Sequence, residues 1–381
     1  MLRVRSDVTQ RSVAFRVDAD AAIGIGHLRR CLTLARELQQ EGLFPHFICR
    51  PPLGPRFELN VNPFALHWLN RISRGADPRN DLSDELRDAD ATLAIIRDMP
   101  VAPSWIVLDS YRYACAWESK MRKAGHQILV IEDFRDREHY ADLLVSDSEM
   151  PFDPALNRAK SGRVLIGRAY ALLDAEYAYI GSSQATERKR LIISYGGADP
   201  TKETQKALQA IRKLKSDPQV RNQVGRVDVV VGLVNPDASA IRRAADHIPE
   251  VFVHQSLCSL APLARQADLI LTSGGNTMIE ALALRKPCIV TVTGKNQKLM
   301  VNELVSEGVI RSLGEEGTVN PLDLLTMIKR VLKDFEPFVA RIASKSLFDH
   351  LGARRIVSAM LEASVQLSRD RTLDEASGES G

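Results

Sequence analysis

The chain has 381 residues, 45% of them hydrophobic and 26% charged, and its formal net charge is +3. This composition is typical of a globular protein large enough for two domains, and the small net charge with dispersed basic residues argues against nucleic-acid binding. Five scattered cysteines without metal-ligand spacing predict reduced thiols and a cytoplasmic location. We expect no membrane span, because no apolar run approaches ~18 residues, and no secretory signal at the amino terminus.

Apolar segments alternate with amphipathic ones through the first half of the chain. The segment VAFRV (13–17) predicts a strand that leads into a glycine loop and then into a helix over 28–41. Further strands are predicted at 44–50, 105–111, 127–134 and 141–146, with a helix at 114–124. Continuous apolar strands separated by helices are typical of parallel sheets covered on both faces.

The alternation stops at IGSSQATERKR (180–190), which is small, polar and charged, and then it restarts. The segment LIISYGG (191–197) predicts a strand followed by a double glycine and a helix. Later strands are predicted at 226–232, 251–255, 267–275, 287–292 and 310–313. We therefore predict an α/β protein with two doubly wound, Rossmann-like domains over 13–182 and 188–365, and a disordered tail over 366–381.

Glycine-containing loops follow three of the predicted strands, at 18–27, 195–200 and 272–280. Ligands of open parallel sheets bind at the carboxyl ends of strands. Gly274 and Gly275 allow a sharp turn, and a helix predicted from Thr277 would direct free N–H groups and its dipole at an anion. No loop has a Walker A sequence. A plain tight turn explains one double glycine equally well, but the recurrence in both halves favours an anion between the domains.

Three polar side chains near these loops have both a structural and a functional interpretation. Glu280 lies about one helical turn after Asn276 and either stabilises the helix dipole or binds ribose hydroxyls. Asp109 and Tyr111 stand at the carboxyl end of a predicted strand, where they either contact a ligand or form a turn.

His27, in the segment IGIGHLRRC, marks the start of the first predicted helix. An unperturbed imidazole titrates near pH ~6.5, so it can act as a general base at neutral pH. Asp18, at the end of the first strand, is placed to orient the ring, as carboxylates do in triads. For His27 the alternative is a surface histidine, and for Asp18 it is an ordinary loop cap. Because the loop has no nucleophilic Ser or Cys and no metal-ligand cluster, the pattern favours water activation without a metal or cofactor.

Together these motifs resemble the PseG-type nucleotide-sugar hydrolases, which cleave UDP-2,4-diacetamido-2,4,6-trideoxy-β-L-altropyranose in pseudaminic acid biosynthesis. The resemblance rests on RVDADAAIGIGHLRRCLTLARELQQEG, VLDSY, IEDFRDREHYADLLVSD, GRAYALLDAEY, SYGGADP, TSGGNTMIEALALRKPCIVTV and NQ, which follow the family's order over residues 13–330. It implies the GT-B fold, two Rossmann-like domains facing across a cleft, and a likeness to the MurG glycosyltransferase, whose C-terminal domain holds UDP.

The resemblance also implies a role for each matching residue. His27 corresponds to the histidine that activates water for attack on the anomeric carbon, with inversion. The other implied ligand contacts are with the diphosphate through Gly24, Gly26, Gly274, Gly275, Asn276 and Thr277, with the ribose through Glu280, and with the sugar through Asp109, Tyr111, Asn296 and Gln297. Because UDP is a good leaving group, the carboxyl pair of ordinary glycosidases is unnecessary.

The chain departs from the family pattern on the sugar side. Arg112 and Tyr113 stand where glycine is common, Ile25 replaces a small hydroxylated residue, and SDSEM occurs where the family often shows Asp-Gln-Asn. These differences concern the identity of the sugar more than the nucleotide. Two alternatives remain: a glycosyltransferase, in which an acceptor hydroxyl replaces water, and a nucleotide-sugar binding protein without catalysis. The sequence does not determine the oligomeric state.

Overall fold

The computed structural model describes residues 11–20, 24–52, 59–69, 82–151, 153–159, 162–179, 187–255, 257–345 and 347–378. Residues 180–186, most of the predicted linker, and residues 379–381 of the predicted tail therefore lie outside the described residues.

The first domain is built on a seven-stranded parallel sheet in the order β3-β2-β1-β4-β5-β6-β7. Its elements are β1 (Ser12–Val17), α1 (Gly26–Gln40), β2 (Phe44–Cys49), β3 (Ala65–Trp68), α2 (Leu82–Arg97), β4 (Pro103–Asp109), α3 (Cys115–Lys123), β5 (Gln127–Ile131), β6 (Leu143–Ser146) and β7 (Arg163–Ile166). Helix α1 packs on one face of this sheet, and α2 and α3 pack on the other.

The second domain has a six-stranded parallel sheet in the order β10-β9-β8-β11-β12-β13. Its elements are β8 (Lys189–Ser194), α4 (Glu203–Ser216), β9 (Val224–Val231), α5 (Ala238–Ala245), β10 (Val251–Gln255), α6 (Ala261–Gln266), β11 (Leu269–Ser273), α7 (Asn276–Ala283), β12 (Cys288–Val292), α8 (Lys298–Ser306), β13 (Arg311–Glu315), α9 (Pro321–Lys333) and α10 (Phe335–Ala343). The last described element is α11 (Gly352–Gly378).

Both sheets reverse their strand order at an inner strand. The order turns between β1 and β4 in the first sheet and between β8 and β11 in the second. The three glycine loops predicted from the sequence follow β1, β8 and β11, so all of them lie at these reversal points. A reversal opens a crevice at the carboxyl ends of the strands, which is where ligands bind in this class of fold.

Helix α1 forms where the sequence places an amphipathic segment, but it begins at Gly26, two residues before the predicted start. Leu28, Cys31, Ala35 and Leu38 recur at helical spacing and are buried against the sheet. This packing fixes the amino-terminal turn of α1, and with it His27, at the carboxyl end of β1.

The carboxyl-terminal helix differs from the sequence prediction in two ways. The described part of the predicted tail, 366–378, continues α11 instead of being disordered. The sequence predicts that the beginning of α11 belongs to the second domain, but its side chains join the core of the first: Ala353, Ile356, Val357, Ala359 and Met360. Their helical spacing creates an apolar stripe, and the face of the first sheet beside α1 buries it. Conversely, Ala171, Leu173 and Tyr177 lie within the predicted first domain but pack into the core of the second.

None of the helices in the described ranges combines the length and the apolar character required to span a lipid bilayer.

Candidate active site

The amino-terminal ends of α1 and α7 meet across the gap between the domains. The side-chain Nδ2 of Asn276 donates a hydrogen bond to the carbonyl oxygen of Gly26 at 3.2 Å. Neither helix has a side-chain cap at its preceding residue, Ile25 or Gly275. The free N–H groups of two helices, Thr277 among the first residues of α7, therefore lie at this junction, and both helix dipoles favour an anion there.

The loop before α7 is braced by Gln297. Its Oε1 accepts hydrogen bonds from the backbone N–H of Gly274 at 3.0 Å and of Thr293 at 2.9 Å. A Cβ at Gly274 would lie 2.4 Å from a methyl group of Val301, so no side chain fits there. The resemblance implies a sugar contact for Gln297, but the structure places its carboxamide oxygen on the protein backbone. Gln297 thus shapes the loop that carries the helix start.

The loop before α1 is shaped by Gly24. This residue has a φ of +82°, in the left-handed region that favours glycine, and its N–H donates to the carbonyl of Asp20 at 2.8 Å. This hydrogen bond ties the residue that follows β1 by three positions to the residues just before α1.

His27 is oriented by Asp109. The imidazole Nδ1 lies 2.5 Å from Oδ1 of Asp109, and Arg30 contacts both oxygens of the same carboxylate at 2.6 Å. Burial alone would raise the pKa of Asp109, but Arg30 and His27 lower it well below its usual range. Asp109 is therefore an ionised acceptor for the Nδ1–H group, which leaves Nε2 as the basic nitrogen of the ring.

Asp18 does not orient His27, contrary to the sequence prediction. Its two oxygens accept hydrogen bonds from Arg16 at 2.6 and 2.9 Å, and one of them also accepts the backbone N–H of Arg50 at 2.8 Å. Asp18 thus ties the end of β1 to the end of β2. The carboxylate that reaches His27 comes from β4, the other neighbour of β1, and the sequence separation of 82 residues conceals it.

The structure also argues against the predicted contact between Asp109 and the sugar. It is 2% exposed, and both of its oxygens are occupied by His27 and Arg30. Sequence reasoning missed Arg30, although its position one helical turn after His27 places both side chains on the same face of α1. It also missed Asp133, which follows β5 and accepts from Arg30 at 2.8 Å.

Tyr111 links this network to the second domain. Its ring packs edge-on against His27 with 4.5 Å between centroids, and its hydroxyl donates to Asp133. The same hydroxyl accepts a hydrogen bond from Nδ2 of Asn296 at 3.0 Å. Burial and Asp133 raise the pKa of Tyr111 far above its usual value, so the hydroxyl remains protonated. Tyr111 and Asn296, predicted from separate halves of the chain, are thus in direct contact.

Glu280 lines an interdomain cavity of about 190 Å³. The cavity is also lined by Arg29, Arg30, Tyr177, Cys258 and Asn276. Glu280 is 8% exposed, and its Oε2 has no hydrogen-bond partner among the described residues. Burial raises the pKa of Glu280 to about 7, although the charge of Arg29 and the hydroxyl of Tyr177 oppose the shift. A buried carboxylate oxygen without a partner is typical of a site that binds a hydroxyl or N–H donor.

His139 belongs to the fold rather than to this site. It is fully buried, with Nδ1 2.7 Å from Glu118 and Nε2 2.9 Å from Glu132. The two carboxylates outweigh its burial and raise the pKa of His139 to about 9. Over the described ranges, no group of three or more His, Cys, Asp or Glu side chains is arranged to hold a metal ion.

No protein-family model matches the chain. Two curated relatives are similar to it: an uncharacterized protein of Methanocaldococcus jannaschii, 21% identical over 75% of the chain and 56% of the relative, and the spore coat polysaccharide biosynthesis protein SpsG of Bacillus subtilis, 23% identical over 39% of the chain and 42% of the relative. The chain thus spans about half the length of the curated relatives it matches.

Solved structures resemble the chain over nearly its whole length. The MurG structure of Acinetobacter baumannii has a TM-score of 0.62 at 13% identity, covering 92% of this chain and 99% of MurG. The spinosyn rhamnosyltransferase SpnG, complexed with thymidine diphosphate, has a TM-score of 0.60 at 15% identity, covering 92% and 100%. The Staphylococcus aureus MnaA–UDP structure has a TM-score of 0.60 at 15% identity, covering 91% and 95%. Together with the two parallel sheets, these likenesses establish the predicted fold: the chain has the GT-B fold.

Proposed function

We propose that the protein hydrolyses a UDP-linked sugar at the anomeric C–O bond and releases UDP and the free sugar with inversion. The observation that carries this proposal is the pairing of His27 with an ionised Asp109 at the junction of two uncapped helix starts. This arrangement combines a general base with a site for departing diphosphate, and hydrolysis of a nucleotide sugar requires both.

In the proposed mechanism, Nε2 of His27 removes a proton from water as the water attacks the anomeric carbon opposite UDP. Asp109 stabilises the imidazolium that forms, while Arg30 keeps Asp109 ionised. The N–H groups at the start of α7 stabilise the charge that develops on the diphosphate. No metal or organic cofactor has a role in this scheme.

The nucleotide occupies the second domain in this proposal. Glu280 accepts hydrogen bonds from the ribose hydroxyls, because its Oε2 is buried and without a partner among the described residues. Tyr111 and Asn296 contact the sugar from opposite domains, since they meet beside His27. The sequence resemblance supports a diacetamido-trideoxy sugar and a place in pseudaminic-acid-type nonulosonate biosynthesis.

A GT-B glycosyltransferase that uses a UDP-sugar donor is the second candidate. It is favoured by the fold, because MurG and the spinosyn rhamnosyltransferase share it. In that case an acceptor hydroxyl would take the place of water, and His27 would deprotonate it.

Turnover without an acceptor separates the two candidates. We would incubate the protein with UDP-2,4-diacetamido-2,4,6-trideoxy-β-L-altropyranose and with UDP-N-acetylglucosamine, and follow UDP and the sugar anomers by NMR. We expect release of an inverted sugar, reduced about 10²–10⁴-fold in His27→Ala. His254→Ala is the matched control, because His254 pairs with Asp228 in the second sheet. Release only after an acceptor is added would contradict hydrolysis, and so would binding without any turnover.

A further inference from the structure

Arg29 is a cation of the interdomain cavity without a protein partner. Its side chain is half-buried and lines the cavity together with Asn276 and Glu280. Within the described part of the chain its guanidinium makes no hydrogen bond and no ion pair. Its neighbour Arg30, in contrast, is held by two carboxylates, Asp109 and Asp133.

The position of Arg29 on α1 adds a positive charge to the positive end of the helix dipole. It lies near the amino-terminal end of a helix whose first turn contains no acidic residue. A cation at that end opposes the helix dipole, so this charge does not stabilise α1. Such an arrangement is typical of a surface that receives an anion.

Glu280 faces Arg29 across the cavity from the other domain. Arg29, Tyr177 and Glu280 all line this cavity, yet no ion pair joins the guanidinium of Arg29 to the carboxylate of Glu280. Glu280 is more than nine-tenths buried and its Oε2 is without a partner among the described residues. A cation and a carboxylate that face each other without pairing leave a gap for a ligand that satisfies both. A nucleoside phosphate does so, because its ribose donates hydroxyls and its phosphate accepts N–H groups.

We propose that Arg29 binds the diphosphate of the nucleotide from the first domain, opposite the ribose contact of Glu280 in the second. This inference rests on the proposed nucleotide site, but it does not require hydrolysis. Arg29 then supplies the part of the affinity that depends on phosphate charge, and Glu280 supplies the part that depends on the nucleoside. Nucleotide binding holds the two walls of the cavity together, because the two contacts come from different domains.

The test compares UDP with uridine as probes, using calorimetry and ligand-observed NMR. In Arg29→Gln we expect the Kd for UDP to rise about tenfold or more, because a charge-assisted hydrogen bond is lost. The Kd for uridine should stay within about twofold of wild type, because uridine lacks the phosphate. The Kd for UDP of Arg29→Lys should lie between those of wild type and Arg29→Gln, because lysine retains the charge but not the bidentate geometry. Glu280→Gln should weaken both probes by the same factor.

Arg243→Gln is the matched control, because Arg243 is an exposed arginine on α5, is not among the residues lining the cavity and carries the same charge. Equal weakening of UDP and uridine in Arg29→Gln would overturn the inference, and so would no weakening of either. Selective weakening of UDP without turnover of any UDP-sugar would leave Arg29 as a phosphate ligand and reject the hydrolase. Absence of UDP binding in the wild-type protein would reject both.

Discussion

At the scale of single residues, the proposed base depends on a carboxylate that it meets only in the folded chain. Asp109→Asn replaces an anion with an amide whose NH₂ group can donate to the imidazole, which favours the wrong tautomer of His27. We expect kcat to fall about 10²–10⁴-fold with a small change in KM, measured as UDP release at saturating substrate. The fall in kcat should be larger than the fraction of protein that unfolds when Arg30 loses one of its partners.

Asp18→Asn is the informative comparison for that experiment. Asp18 binds Arg16 and the backbone of Arg50, so its loss should lower the unfolding temperature. Its effect on kcat per folded molecule should be far smaller than that of Asp109→Asn. If the two variants lose kcat equally, Asp109 does not have the orienting role that its 2.5 Å contact with His27 indicates.

Glu280 makes nucleotide binding depend on pH. Burial raises its pKa to about 7, so below that pH the free protein carries a neutral carboxyl group, which is a weaker acceptor for ribose hydroxyls. We expect the ratio of Kd values for UDP, Glu280→Gln over wild type, to be near 1 at low pH and to increase as the pH rises through about 7. Taking the ratio removes the titration of the UDP phosphate, which both proteins share.

The same raised pKa has the opposite effect on stability. Because the unfolded chain loses this proton near pH ~4.3 and the folded chain retains it up to about 7, wild type should lose stability relative to Glu280→Gln across that range. Thermal unfolding without ligand measures this difference. A pH-independent difference in stability, together with a pH-independent Kd ratio, would contradict the raised pKa.

At the scale of elements, the two glycines of the loop between β11 and α7 have different surroundings. A Cβ at Gly274 would lie 2.4 Å from Val301 and 3.0 Å from the Cβ of Gln297, so Gly274→Ala must displace α8 or the loop. We expect it to destabilise the protein by about 1–3 kcal/mol, the usual cost of overpacking, and to weaken UDP binding. Chemical denaturation and calorimetry measure the two effects.

Gly275→Ala is the matched variant, because the nearest atom to its added Cβ lies 3.8 Å away and its φ of −97° suits any residue. It should retain nearly full stability. Equal destabilisation by the two substitutions would show that Gly275 has a constraint that its contacts do not reveal.

The sequence predicts elements better than it predicts partners. The loops after β1, β8 and β11 and the apolar stripe of α1 follow from local patterns, because glycine and helical spacing act within a few residues. The pairing of His27 with Asp109 depends instead on β4 lying beside β1, which no local pattern specifies. The same limit explains why the resemblance alone implies a ligand contact for Gln297, since its bond to Gly274 joins two separate loops.

At the scale of the whole molecule, the chain crosses twice between the two cores. Ala171, Leu173 and Tyr177 pack into the second core, and α11 returns from the second domain to pack against the first. The indole N–H of Trp105 in β4 donates to Ser364 of α11 at 2.8 Å, which fixes the returning helix on the first sheet. The stability of the domain that carries His27 therefore depends on α11.

Two isoleucine substitutions test this dependence. Ile356 of α11 and Ile328 of α9 are both fully buried, the first in the core of the first domain and the second in that of the second. Replacing either with alanine should cost about 2–5 kcal/mol. The three tryptophans of the chain all precede the linker, so tryptophan fluorescence reports on the first domain while circular dichroism reports on both.

We expect Ile356→Ala to lower the midpoint of the fluorescence transition in denaturant. Ile328→Ala should act mainly on the transition seen by circular dichroism, because its cavity lies in a core that contains no tryptophan. If the fluorescence midpoint shifted only in Ile328→Ala, α11 would not stabilise the first domain. An equal shift in both variants would mean that the hydrogen bonds across the domains, such as those of Asn276 and Asn296, make the two cores unfold as one cooperative unit.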